Sequence, residues 1–324
     1  MLKKYLKIFS NLRTDKNKNR YPAATCHRAP HKPILLLSVM DLIEQGIITH
    51  NFIEPSLDLV ETFNTYISLV LPLGWKTSMT HPFPRLQTDG FWHRVTNPGF
   101  DPAKDYNVTS ISKLNEIYAG ARMDEELFHF MLNPETRTRL RTILIDTYFE
   151  PVLRPALMEQ ASVNIAAYAY SRDLIKSFKQ QPLWGKDLEK ADAVNRARDQ
   201  GFRKAIVQLY EHRCALCGIR MLTPEGHTVV EAAHIKPWHK SHDDRPTNGL
   251  ALCRLCHWSF DEGLMSVGNN YEVLVSRRVR TEQNNLGHIL TLIDRPIFKP
   301  VKQIYWPDIA NLEWHRTKKF NMRM

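Results

Sequence analysis

The stretch LALCRLCHWSF, residues 250–260, sets Cys253, Cys256 and His257 side by side, three side chains that bind transition metals. A second CxxC pair, Cys214 and Cys217, lies upstream, so that four thiols stand in two knuckle-forming pairs. Two thiols at that spacing turn onto one ion, and zinc held by four sulfurs is a closed, structural site. Cys214, Cys217, Cys253 and Cys256 are therefore the expected Zn²⁺ ligands, with Cys26 left over. A saturated zinc has no use for His257. On a helix that residue points about 100° away from Cys256, which predicts a separate task for it.

Working outward, VVEAAHIKPW (229–238) reads as a strand carrying His234, and DDRPTNGLALC (243–253) brings Asn248 to the edge of a second short apolar stretch. DQGFRKAIVQLYEHR (199–213) has the spacing of an amphipathic helix leading into the first CxxC. Nearer the N-terminus, APHKPILLLSVMDLIEQGIIT (29–49) predicts a buried helix with Pro33 in its first turn, and EPSLDLVETFNTYISLVL (54–71) a second one packed on it. The prolines and glycines of HPFPRLQTDGFWHRVTNPGFDP (81–102) predict short strands and turns without helix, and Phe91 and Trp92 there belong in a core. NPETRTRLRTILIDTYF (133–149) returns to helix, with Asn133 as N-cap.

Lys and Arg number 44 against 34 Asp and Glu, a net charge of +10 that attracts polyanions and favours nucleic acid as partner. No apolar run is long enough to span a bilayer, and the N-terminus lacks the pattern of a signal peptide. With cysteines spaced for metal and not for disulfides, these features predict a cytoplasmic protein with no membrane partner.

The combination of CxxC, AHIKPW, NGLALC and CxxCHWSFDEGL over residues 200–270 resembles the HNH endonucleases of the ββα-metal type. The resemblance implies two strands and a helix around one divalent metal. It makes His234 the general base for water, Asn248 the residue that orients it, and His257 a ligand of catalytic Mg²⁺ or Mn²⁺. Many members carry Asp or His before the first His, where this chain has Ala233. Glu231 and Asp261 are the candidates for a second protein ligand, with Asp261 favoured as a turn residue before Gly263.

PHKPILLL (30–37) and HPFPRLQTDGFW (81–92) resemble the sulfur-binding domain found upstream of HNH modules in type IV restriction enzymes that attack phosphorothioate-modified DNA. That resemblance implies that His31 and Lys32 face DNA and that His81 and Pro82 line a shallow pocket for the sulfur. Arg85, Arg94 and Lys32 are the expected phosphate contacts.

The expected fold class is α+β. A mostly helical, mixed DNA-reading domain spans 1–170, a linker 171–198, the HNH nuclease with its four-cysteine zinc site 199–276, and a basic extension packed on the nuclease 277–324. The expected function is a modification-dependent endonuclease cutting phosphorothioate-modified double-stranded DNA. One active site per chain calls for a homodimer to cut both strands. Two alternatives stand beside it: an HNH nuclease that reads another mark such as a modified base, and a zinc-stabilised DNA-binding regulator without cleavage.

Overall fold

The computed structural model describes residues 1–72, 75, 77–177, 192–280 and 287–320. The chain divides into two units, residues 1–165 with 223–227, and residues 166–222 with 228–324. Half of the expected linker, residues 178–191, lies outside the described residues, and its two ends are helical.

Unit 1 begins with α1 (Leu2–Phe9) and is organised around α2 (His31–Glu44). Every residue of α2 from Lys32 to Ile43 is buried, so this helix has no polar face and lies inside the unit. Next comes α3 (Leu57–Val70), capped by Ser56, whose side chain accepts from the Leu59 amide. The 81–102 stretch departs from expectation. It opens with one helical turn, α4 (Pro82–Arg85), continues as a 3₁₀ turn over Leu86–Asp89, and only then becomes β1 (Trp92–Thr96). First-turn amides have no acceptor within their helix, so Pro82 and Pro84 cost this short turn nothing.

The chain then runs through α5 (Ile111–Ile117), β2 (Tyr118–Met123), α6 (Glu125–Leu132), α7 (Pro134–Tyr148) and α8 (Arg154–Lys176). β1 and β2 pair antiparallel with a register shift at Val95/Thr96. Asn133 caps α7 by accepting from the amides of Glu135 and Thr136, as its type and position predict. Phe91 and Trp92 are fully buried, with Trp92 edge-on to Phe83 at 5.4 Å. Buried Asp41 accepts from Arg141 Nη1 at 2.6 Å and from Tyr66 Oη and Asn164 Nδ2 at 2.8 Å, tying α2 to α3, α7 and α8.

Unit 2 is built on α9 (Asp192–Leu209), β3 (Val230–His234), a one-turn α10 (Trp238–Ser241), β4 (Gly249–Cys253) and α11 (Arg254–Asp261). β3 and β4 pair antiparallel, His234 opposite Gly249 and Val230 opposite Cys253. β5 (Met265–Val267) and β6 (Val273–Val275) form a second hairpin, followed by α12 (Gly287–Leu290) and α13 (Ile309–His315). Leu292, Ile297 and Leu312 join Phe202, Ile206, Leu250 and Phe260 in one core, so packing does not separate residues 277–324 from the segment before them. No helix among the described residues is long and apolar enough to cross a membrane.

His315 anchors this C-terminal segment. It is 2% exposed, its ring stacks on Phe260 at 3.6 Å, and its nitrogens meet Ser266 Oγ at 2.9 Å and the Phe260 carbonyl at 3.0 Å. The carbonyl only accepts, so Nε2 carries the proton and Nδ1 accepts from the Ser266 hydroxyl. Burial lowers its pKa from 6.5 to about 4, with Lys319 and Arg316 adding to the effect. The unfolded chain therefore binds this proton below pH 6.5, while the folded one refuses it until about pH 4. Its contribution is complete above pH 6.5 and is lost as pH falls toward 4, about 3 kcal/mol in all. Denaturant midpoints across that window should fall less steeply in His315→Gln than in the wild type, and parallel curves would contradict this assignment.

Candidate functional site

The first CxxC forms a knuckle in which the Cys214 amide bonds the Ile219 carbonyl at 2.9 Å and the Gly218 amide bonds the Cys214 carbonyl at 2.9 Å. Gly218 sits at φ +75°, where a side chain would also meet the ring of Phe298 at 2.3 Å. Cys253 ends β4 and caps α11, and Cys256 lies in the first turn of that helix. The four sulfurs all fall within 4.8 Å of one another, and no disulfide joins them. Cys217 Sγ and Cys253 Sγ are 3.7 Å apart, against about 3.8 Å along the edge of a tetrahedral zinc–thiolate site. Hydrogen bonding, first from Cys217, lowers the Cys214 thiol to about 7, and bonds led by that from Cys214 lower Cys253 too. Donor type, count and spacing all fit structural zinc.

On the neighbouring hairpin, His234 closes β3. Its imidazole lies parallel to the Phe202 ring of α9, 3.9 Å away, which fixes the ring plane. Gly249, opposite His234, permits this approach, since a Cβ there would sit 2.4 Å from Ile206 Cδ1 and 3.1 Å from Phe202 Cζ. His234 Nε2 is 2.7 Å from Asp244 Oδ1. Asp244 is 1% exposed, and its other oxygen accepts from Tyr170 Oη at 2.7 Å with Arg198 Nε at 3.8 Å. A carboxylate accepts, so in the neutral imidazole the proton sits on Nε2, leaving the lone pair on Nδ1. Residue type alone gives Asp244 no role. Its only signal in the sequence is the Asp243–Asp244 doublet, of which Asp243 pairs with Arg245 at 2.8 Å.

Asn248 does not match the role expected of it. The side chain is fully buried, its Nδ2 donates to the carbonyls of Lys236 at 3.0 Å and Asp243 at 2.8 Å, and its Oδ1 accepts from the Lys236 amide at 2.9 Å. With both donors and the acceptor spent on backbone, it pins the 236–243 loop that delivers Asp244 instead of orienting a water.

His257 is half-buried on α11, its Nδ1 3.6 Å from Glu231 Oε2 and its Nε2 3.5 Å from Asp261 Oδ2. Asp261 ends α11 just before the turn to Gly263, as expected, and also turns an exposed carboxylate back toward the imidazole one helical turn away. The two acids flank opposite nitrogens, so a cation held by His257 takes one nitrogen and one of the two carboxylates. Among the described residues, the four cysteines are the only convergent group of three or more such ligands. His257 with Glu231 suits a hard divalent cation that keeps most of its waters. Glu231 and His234 also line one open cavity with Asp199, Phe202, Arg203 and Ala232.

Unit 1 holds a cleft of about 450 Å³ at the start of α2. Of the residues expected to read DNA, His31, Lys32, His81, Pro82 and Arg85 line it, and Arg94 does not. His31 bonds Thr77 Oγ1 at 2.5 Å, and burial lowers its pKa to about 4, so the ring is neutral near pH 7. His81 is lowered as well, by burial and then by Arg85 and Arg20.

Two expected phosphate contacts are corrected here. Lys32 is 8% exposed and spends its charge on Asp89 Oδ2 at 2.5 Å, with Thr88 Oγ1 at 2.9 Å. Arg94 is 9% exposed and donates to Asp105 Oδ1 at 2.7 Å and the Pro102 carbonyl at 2.6 Å. Arg13, Arg20, Tyr21 and Trp75 line the cleft and escaped the sequence reading, although RTDKNKNRY (13–21) carries a basic and aromatic signal.

A family model described as HNH endonuclease matches residues 214–268. No curated protein matches the chain. Among solved structures, the one titled "Modification dependent TagI restriction endonuclease" matches at 23% identity and a TM-score of 0.27, over 36% of this chain and 36% of that one. The chain thus spans about a third of the length of that solved relative. Residues 214–268, which hold the four cysteines, His234, Asn248 and His257, form an HNH endonuclease domain.

Proposed function

We propose that the protein is a modification-dependent DNA endonuclease that hydrolyses phosphodiesters in unit 2 and reads a phosphorothioate mark in unit 1. The observation that carries the nuclease half is the His234–Asp244 pair, a base held in one tautomer and one ring plane beside the cavity that Glu231 also lines. In this reading Nδ1 of His234 takes a proton from water as the water oxygen bonds phosphorus and one ester P–O bond breaks, its oxygen leaving as an alkoxide that takes a proton from solvent. Buried Asp244 stabilises the imidazolium so formed, and Asn248 keeps the loop in place. A divalent cation, when bound at His257 and Glu231, neutralises charge growing on the phosphate oxygens. Two chains acting together would cut both strands.

The mark-reading half rests on the unit 1 cleft, where neutral His31, half-exposed His81 and buried Pro82 offer a weakly polar surface to a sulfur that is softer and less hydrated than oxygen. One observation favours a second reading. Tyr21 and Trp75 line the cleft as a tilted pair, ring centroids 6.2 Å apart, and such an aromatic pair offers a stacking face to a modified base turned out of the duplex. Fluorescence anisotropy with phosphorothioated, base-modified and unmodified duplexes of one sequence separates the two. Preference for the sulfur-bearing duplex supports the first reading, and preference for the modified base the second.

Arg85 is exposed at the cleft, so Arg85→Ala is expected to weaken duplex binding roughly tenfold and to reduce the slope of log K against log salt by about one. The same titration repeated from low to moderate salt checks this, and an unchanged slope would remove Arg85 from the interface.

A further inference from the structure

The HNH segment begins at Cys214, yet one wall of the cavity beside His234 comes from earlier in the chain. Asp199, Phe202 and Arg203 of α9 face Glu231, Ala232 and His234 of β3 across it. Positions 199, 202, 203 and 206 share one side of a helix. Phe202 and Ile206 are buried on that side, and Asp199 and Arg203 stand exposed at the rim. The stack of Phe202 on His234 at 3.9 Å holds α9 against the base, and Arg203 is the next residue along.

The two rim charges are in different states. Asp199 is already paired, its Oδ1 2.5 Å from Arg198 Nη2. Arg203 has no carboxylate within salt-bridge range among the described residues. It is therefore an uncommitted guanidinium beside a base, in a strand where Ala233 offers no metal ligand. Hydrolysis of a phosphodiester adds negative charge to the non-bridging oxygens, and a planar guanidinium can donate to two of them at once.

We propose that Arg203 is a catalytic residue of this site, a clamp that binds the scissile phosphate next to His234 and neutralises the charge developing on its non-bridging oxygens. This rests on the nuclease reading above and adds to it a group that lies outside the HNH segment. Arg203 stays protonated throughout, and no bond to it forms or breaks.

Arg203→Ala and Arg203→Lys in the full chain test this under single-turnover conditions with protein in saturating excess over duplex. The alanine variant is expected to lose on the order of 100-fold in maximal rate while its affinity changes less than about threefold. Lysine should restore part of the rate, as should methylguanidinium added to the alanine variant. Wild-type cutting by Arg203→Ala would overturn the proposal. So would a defect that vanishes at saturation, because Arg203 would then be an ordinary backbone contact.

A readout independent of cleavage separates this proposal from the nuclease reading. Dimethyl phosphate is titrated while the Arg203 Nε–H resonance is followed, assigned by its absence in R203K. If the wild type cuts no DNA, the nuclease reading fails. A saturable shift would still support the clamp, and no shift would remove it.

Discussion

His234→Ala is expected to lower cleavage by roughly 10²- to 10⁴-fold, the range a positioned general base contributes, while leaving duplex affinity intact. Removing the imidazole takes away the Nδ1 lone pair and nothing that the unit 1 cleft uses. The partner substitution is more diagnostic. In Asp244→Asn an amide can donate to Nε2, which favours the tautomer with its proton on Nδ1, and the lone pair that should accept from water is then occupied. The rate should fall roughly 10²-fold or more although shape and size are preserved. Rates at saturating duplex, with circular dichroism to verify folding, check both variants. A folded His234→Ala that cuts at the wild-type rate, or that has lost DNA binding, would contradict the assigned role.

Cys217→Ala is expected to unfold unit 2. The four sulfurs close the first knuckle onto the junction of β4 and α11, so the zinc they would hold joins segments far apart in the chain. Structural zinc contributes roughly 10–16 kcal/mol in small domains, comparable to the whole stability of a typical fold. Removing one thiolate should therefore lower zinc content, abolish the unit 2 melting transition and open residues 166–222 to protease. A strong chelator should do the same to the wild type. An unchanged melting profile with full zinc content would sink the claim.

The features legible in the sequence are those set by local spacing. CxxC pairs bring thiols together whatever surrounds them, Asn133 before Pro134 marks a helix start, and the step from Cys256 to His257 turns the imidazole away from the four-cysteine cluster. What escaped depends on who sits opposite. Lys32 and Arg94 read as free cations because residue type says nothing of Asp89 or Asp105 waiting across the fold. Asp244 and Phe202 gain meaning only when a loop and an upstream helix converge on His234 from different stretches of the chain. Asn248 is expected to orient a water, yet its burial and three backbone bonds give it a different task. The helical turn at Pro82–Arg85 is hidden in the sequence because prolines, which break helices elsewhere, here occupy a first turn.

The central claim joins a reader of modified DNA to an HNH nuclease in one chain. Its most direct test incubates the protein with matched phosphorothioated, base-modified and unmodified duplexes, with Mg²⁺ or Mn²⁺, and resolves the products on a gel. The account predicts cutting of the phosphorothioated duplex alone. Cutting of all three, or of the base-modified duplex alone, would keep the nuclease and discard the sulfur reader, and no cutting with either metal would contradict the account in favour of a non-catalytic DNA binder.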